Sequence, residues 1–248
     1  MSIWKKLGVI GGMGPAATVR LFQRIVELTC AESDQEHLDV TILCDPAIPD
    51  RTGFLLGAPG ARDFVPVLRD KASKLASLGC DVIVMPCNTS HSRYDEIASA
   101  APGVTFLHMP RATVEFARAL GCARPLILAT DGTIASGVFQ TAFKDAGLDW
   151  VIPDSTVQAN VMTLIYDYVK AGKTAPESLQ RTVLDSYRPS GADGIILGCT
   201  ELSTLGIGFR YKDAPVIDAL DVLAWRAVKT CGAPVVDLAA SYERSRQG

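Results

Sequence analysis

The stretch Asp81-Val82-Ile83-Val84-Met85-Pro86-Cys87-Asn88-Thr89-Ser90-His91 decides the fold, because its plan returns as Asp193-Gly194-Ile195-Ile196-Leu197-Gly198-Cys199-Thr200-Glu201. Each copy is a short apolar run, preceded by Gly79-Cys80 or Gly191-Ala192 and followed by a cysteine and small polar residues. Such runs read as strands of a parallel sheet buried on both faces. The cysteine then stands at the carboxyl end of its strand, where open α/β sheets bind ligands. Two copies imply two thiols facing one cleft.

Outward from these two runs the chain alternates strand and helix. A first strand at 7–11 turns through Gly12-Met13-Gly14-Pro15 into a helix over 16–30, with Pro15 suited to the first helical turn. A second strand at 39–44 leads into an irregular, proline-rich loop over 45–53, and a helix over 63–78 precedes the Cys87 strand. Residues 90–100 read as helical, with Asn88, Thr89 or Ser90 available as N-cap. A strand at 104–107 and a helix at 111–120 close the first half. The second half repeats the plan with strands at 125–130, 150–153, 193–199 and 216–218, and helices over 160–171, 176–187 and 219–229. The whole reads as (βα)4 twice, an α/β fold of two pseudo-symmetric lobes, each a four-stranded parallel sheet flanked by helices. The expected division gives 1–103 plus 213–248 to the first lobe and 104–212 to the second, with the active site in the interlobe cleft.

Composition narrows the partners. The 248 residues are 48% hydrophobic and 21% charged, which describes an ordinary globular protein with no disordered bias. Lys+Arg 24 against Asp+Glu 27 leaves a net charge of -3, so there is no electrostatic footprint for nucleic acid or an anionic membrane. No run has the length of a membrane span or a signal-peptide apolar core, so a cytoplasmic location and a small-molecule partner are expected. Seven cysteines without a C-x-x-C pair argue against both a disulfide framework and a zinc cage, and no metal ligands are assigned. Gly12-x-Gly14-x-x-Ala17 also fits a dinucleotide fingerprint, but Pro15 inside it removes an N–H that could face a pyrophosphate.

Two thiols across a cleft suit one reaction in particular. Inverting a carbon stereocentre by proton transfer needs a base on one face and an acid on the other, and a thiolate/thiol pair exchanges these roles when the opposite enantiomer binds. Backbone N–H groups beginning the segments after Cys87 and Cys199 can favour a thiolate, and Asn88, Thr89, Thr130 and Thr200 are placed to hold a substrate carboxylate. Arg51, hemmed by prolines at the ligand end of the first sheet, suits a second carboxylate. His91, four residues after Cys87, reads as a structural histidine more readily than as a nucleophile's partner. No lysine stands in a recognisable pyridoxal context, so a cofactor-free mechanism is expected.

Gly11-Gly12-Met13-Gly14-Pro15, Ile48-Pro49-Asp50-Arg51-Thr52, Met85-Pro86-Cys87-Asn88-Thr89 and Gly198-Cys199-Thr200-Glu201 together resemble the aspartate/glutamate racemase superfamily, and its aspartate racemase branch most closely. The resemblance implies a two-lobed fold with swapped elements, pyridoxal-independent racemisation and a homodimer. By motif, Cys87 and Cys199 correspond to the catalytic acid/bases, and Asn88, Thr89 and Thr200 to the groups around the α-carboxylate. Met13, Thr130 and Thr133 would line the cleft, with Ser90 adding a hydroxyl where many relatives carry alanine. Arg51 and Lys170 correspond to the pair that grips a side-chain carboxylate, while Glu201 either polarises the second thiol or caps a helix. The expected activity is interconversion of L- and D-aspartate. Alternatives are a racemase of broader or glutamate specificity, a cysteine-dependent maleate isomerase or decarboxylase relative, and a catalytically silent acidic amino-acid binding protein.

Overall fold

The computed structural model describes residues 4–245. In chain order its elements are β1 (Leu7–Gly11), α1 (Pro15–Leu28), β2 (Val40–Cys44), α2 (Arg51–Leu55), α3 (Val65–Ser77), β3 (Val82–Val84), α4 (Tyr94–Ala98), β4 (Thr105–Phe106), α5 (Met109–Ala119) and β5 (Leu126–Leu128). There follow α6 (Asp131–Ser136), α7 (Val138–Ala146), α8 (Ser155–Thr163), α9 (Glu177–Asp185), β6 (Ile195–Leu197), β7 (Arg210–Tyr211), β8 (Ala214–Asp218), α10 (Ala219–Cys231) and α11 (Leu238–Arg244).

The apolar runs are continuous because both faces of each central strand are covered. Val82 and Val84 of β3 enter a core shared between the sheets, while Ile83 enters a second core with Phe64, Leu68 and Leu75. In β6 the same alternation sends Ile196 to the shared core, and Ile195 and Leu197 to a third core with Val161, Leu164 and Val183. A fully buried aliphatic side chain contributes about 1.5–3 kcal/mol, so these strands hold the centre of each lobe.

The first sheet has the order β2-β1-β3-β4, parallel throughout. The second has the order β5-β6-β8-β7, and it departs from the expected four parallel strands. Only β5, β6 and β8 are parallel; β7 joins β8 as an antiparallel edge. The strand expected at 150–153 contributes a single parallel bridge, Val151 to Leu126, because Pro153 follows at once and cannot donate to a ladder. With that bridge counted, the second lobe retains the order of the first.

Sheet membership differs from the expected division. β4, assigned to the second lobe, pairs with β3 in the first sheet, and β8, assigned to the first, pairs with β6 in the second. The helices after them cross instead. α5 packs on α7, α10 and β8, whereas α10 packs on α1 and β3. The shared core of α1, α5, α7 and α10 therefore lies between the sheets and ties the lobes together.

Local differences have local causes. The proline-rich loop contains a helical turn, α2, whose N-cap Asp50 accepts from the Gly53 amide. After Cys87 the chain forms a 3-10 turn over Thr89–Arg93 before α4, and Asn88 occupies the cap position without a side-chain capping bond. The helix expected over 160–171 is the end of α8 followed by a π-helical segment, Leu164–Val169. The Gly12 turn also has a steric explanation: Gly12 has φ of 97°, and a Cβ there would lie 2.3 Å from the Asp45 backbone. The glycine admits a close passage of β2's end. Among the described residues no helix is long and apolar enough to cross a membrane.

Candidate active site

Both cysteines leave the carboxyl end of the central strand of their sheet and are buried. They line one internal cavity together with Met13, Asp50, Arg51, Thr52, Asn88, Thr89, Thr130, Tyr166, Lys170, Gly198, Thr200 and Glu201. That cavity has about 10 Å³ of free space, on the scale of one water. Beyond it opens a second cavity of about 270 Å³, lined by Gly12–Ala17, Pro46, Ile48 and Val169, which shares Met13, Asp50, Arg51, Lys170 and Glu201 with the first. The shared side chains form the wall between an inner chamber and a vestibule.

Arg51 is a held cation of the first lobe, and beside it Thr52 and Thr89 of that lobe form a hydroxyl cluster with Thr130 and Thr133 of the second. Thr89 and Thr133 lie 2.7 Å apart, Thr130 is 3.0 Å from Thr133, and Thr52 donates to Thr130 at 3.2 Å. The Arg51 guanidinium donates to the carbonyls of Pro49 (3.0 Å), Ile48 and Met13 (both 3.4 Å), which aims it across the chamber. Burial works against its charge, but Cys87, Asp50 and Glu201 outweigh that cost and raise its pKa. Arg51 Nε and both polar atoms of the Asn88 amide are buried without a protein partner. Buried unpaired polar groups cost about 1–3 kcal/mol each, and a ligand carboxylate would satisfy the donors among them.

The second-lobe side carries the opposite charge. The Cys199 thiol donates to Glu201 Oε2 at 2.9 Å, and Glu201 Oε1 is paired with the Lys170 ammonium. Burial, and then the Glu201 carboxylate, push the Cys199 thiol well above its ordinary pKa; Lys170 opposes them without prevailing. Burial likewise works against Lys170, but the Glu201 carboxylate outweighs it and keeps the ammonium charged. Cys199 thus keeps its proton in this arrangement. Glu201 contacts the thiol and does not cap the helical turn that follows, where no side-chain capping bond forms.

Most residues singled out by sequence converge here, with some placed indirectly. Thr200 donates to the Pro86 carbonyl at 3.3 Å, tying the two cysteine segments together. Ser90 donates to the Met13 sulfur and Thr133 supports Thr89, so both stand behind the wall. Lys170 is occupied by Glu201 and does not stand free for a second carboxylate. Sequence reasoning missed Thr52 and Tyr166. Tyr166 donates to Asp50 at 3.3 Å, and its phenol is pushed up to about 12, chiefly by burial. Its position one turn before Lys170 was the available signal. His91 does not touch the Cys87 thiol: its Nδ1–H donates to the Cys87 carbonyl at 2.9 Å and Nε2 accepts from the Met109 amide at 3.1 Å. Burial lowers its pKa to about 4, leaving a neutral, structural imidazole.

Two α/β lobes thus enclose a pair of buried cysteines, one following a central strand of each sheet, in one cavity. Residues 10–227 match the Asp/Glu/hydantoin racemase family, and the chain belongs to it. The broad-specificity amino-acid racemase RacX of Bacillus subtilis is 29% identical over 234 residues, 90% of this chain and 97% of that protein. The aspartate racemase of Picrophilus torridus superposes with a TM-score of 0.84 at 31% identity, over 96% of this chain and 99% of that one. A glutamate racemase of Francisella tularensis, solved with D-glutamate, shares the fold at a TM-score of 0.59 and 17% identity, over 91% and 80% of the respective chains.

Proposed function

We propose that the protein interconverts L- and D-aspartate by a two-thiol acid/base mechanism without pyridoxal phosphate. The observation that carries this reading is the pair of buried thiols, one from each lobe, lining one chamber beside charges of opposite sign. A thiolate at Cys87, beside Arg51, removes the α-proton from one face. The protonated Cys199 returns a proton to the other. Positioned proton transfer of this kind contributes roughly 10²–10⁴-fold. Negative charge developing on the substrate carboxylate meets the unpartnered Asn88 amide and the Thr89 hydroxyl, and the Thr200 hydroxyl joins them by turning from the Pro86 carbonyl. Arg51 holds the side-chain carboxylate, and Lys170 joins it when Glu201 releases the ammonium. Because the inner chamber has room for about one water, entry requires the wall between chamber and vestibule to open.

A broader substrate range is the second reading. It is favoured by the likeness to RacX and by the vestibule of about 270 Å³ beside Arg51, whose lining mixes Pro15, Ala17, Ile48 and Val169 with charged side chains and offers space to longer side chains. A homodimer fits the exposed apolar stripe Val19, Phe22 and Val26 on α1, which are 69%, 43% and 40% exposed at one-turn and two-turn spacing. The deciding experiment is proton NMR in D2O without added cofactor, starting separately from L- and D-aspartate, with chiral chromatography of the products. Loss of the α-proton with appearance of the other enantiomer from both starting points supports the proposal. Silence with aspartate but turnover of glutamate or neutral amino acids selects the broader reading.

A further inference from the structure

The two lobes repeat a contact behind the cysteines. His91 follows Cys87 by four positions, and Ser203 follows Cys199 by four. His108 is the N-cap of α5 and accepts from the Arg111 amide; Asp218 is the N-cap of α10 and accepts from the Leu220 amide at 2.8 Å. In the first lobe the His91 and His108 rings approach with centroids 5.0 Å apart. In the second, the Ser203 hydroxyl donates to Asp218 Oδ1 at 2.7 Å. Each lobe therefore brings the turn after its cysteine against the N-cap residue of the helix after its last parallel strand. The chemistry of the tie differs between them.

We propose that Ser203 and Asp218 form a positioning pair for Cys199. The inference rests on the reading of Cys199 as an acid/base. Ser203 lies in the 3-10 turn Leu202–Leu205, which starts immediately after Glu201. That turn is held to the cysteine segment by the Leu202 amide on the Cys199 carbonyl (3.0 Å) and the Thr204 hydroxyl on the Glu201 carbonyl (2.7 Å). Outside the segment, Leu202 is buried in the third core, and the Ser203–Asp218 hydrogen bond joins the turn to the end of β8, in register with β6 at Leu197. Releasing that bond lets Glu201 and the thiol it receives move relative to the chamber.

Burying Asp218 is otherwise unfavourable. The carboxyl is removed from water beside Asp221, and Asp221 already has its own cation in Arg24, at 2.7 Å. Among the described residues Asp218 forms no ion pair, although the charge of Arg20 acts on it, so its hydrogen bonds must carry most of the compensation for burying it. Here they are the N-cap of α10 and the hold on Ser203, neither of which touches substrate.

The test compares Ser203→Ala, Asp218→Asn and Cys199→Ala with the unaltered protein, after circular dichroism and thermal melting have confirmed that each is folded. Racemisation is followed from both enantiomers of aspartate and from their α-deuterated forms. Ser203→Ala and Asp218→Asn should lower kcat roughly ten- to a hundred-fold, with KM within about two-fold, as expected for a misplaced catalytic group. They should also move the ratio of the two primary isotope effects the same way. The effect grows for the enantiomer whose α-hydrogen faces Cys199, and shrinks for the other. His91→Asn, acting behind Cys87, should move the ratio the opposite way. A lowered kcat with the wild-type isotope-effect ratio retained overturns the positioning pair, as does wild-type kcat in both variants. Wild-type racemisation by Cys199→Ala instead overturns the two-thiol reading itself.

Discussion

Behind Cys87 stand a guanidinium and two imidazoles; behind Cys199 stand a carboxylate, its lysine and a buried aspartyl hydroxyl tie. Both imidazoles are neutral: burial takes His91 to about 4, and burial, His91 and Arg111 take His108 to about 3. The two half-sites share a backbone plan and differ in charge. In the proposed mechanism one thiol is ionised while the other holds the proton, and the unlike side chains around the repeat bias which of the two is protonated.

The comparison can be broken at the thiols first. Cys87→Ala and Cys199→Ala should each reduce racemisation by roughly 10²–10⁴-fold with the fold intact, measured by chiral chromatography and circular dichroism. Retention of activity in only one variant would mean that a single thiol does the work and that the half-sites are unequal in function as well as charge.

Charge is the next lever. Glu201→Gln removes the anion on Cys199 while Lys170 remains, so the thiol should ionise more readily. Alkylation of Cys199 by iodoacetamide at pH 8, quantified by mass spectrometry, should become several-fold faster. An unchanged or slower rate would remove Glu201 as the source of the asymmetry. Lys170→Met should cost stability, because it strands a buried carboxylate. Lys170 is itself 25% exposed, which brings the loss below that of a fully buried pair, to roughly 1–3 kcal/mol in chemical denaturation.

The smallest expected effect concerns pH. Burial beside Asp221 pushes Asp218 up to about 7, against hydrogen bonds from Ser203 and the Leu220 amide; Arg20 also lowers it, and Tyr242 packs on the same region. A carboxyl raised above its unfolded value contributes stability that is complete below that value and is lost as pH rises through the folded one. The melting temperature of Asp218→Asn relative to the unaltered protein should therefore improve between pH 5 and pH 8. A constant difference would mean that Asp218 does not titrate in this window.

Much of the site was legible because its residues lie in contiguous motifs at strand ends. Once 81–91 and 193–201 are read as central strands, Cys87, Asn88, Thr89, Cys199, Thr200 and Glu201 are placed by covalent neighbourhood alone. Thr52 and Tyr166 were harder to assign: each neighbours a singled-out residue in sequence, but its contact in the chamber is with a residue of the other lobe. The same limit applied to the lobes. Alternating strands and helices specify two parallel sheets, but sequence order alone does not say on which sheet α5 and α10 rest.

By itself, then, the sequence determined the local plan: apolar runs buried on both faces, thiols at their carboxyl ends, and an α/β chain used twice. Periodicity and composition act over a few residues, and they suffice for these features. Only the tertiary structure decided which helix crosses to which sheet, that Lys170 closes on Glu201, and that Ser203 meets Asp218 where His91 meets His108. Those contacts join residues far apart in the chain, and their free energies depend on burial and on the sign of the neighbouring charge. Neither quantity exists until the lobes have packed together.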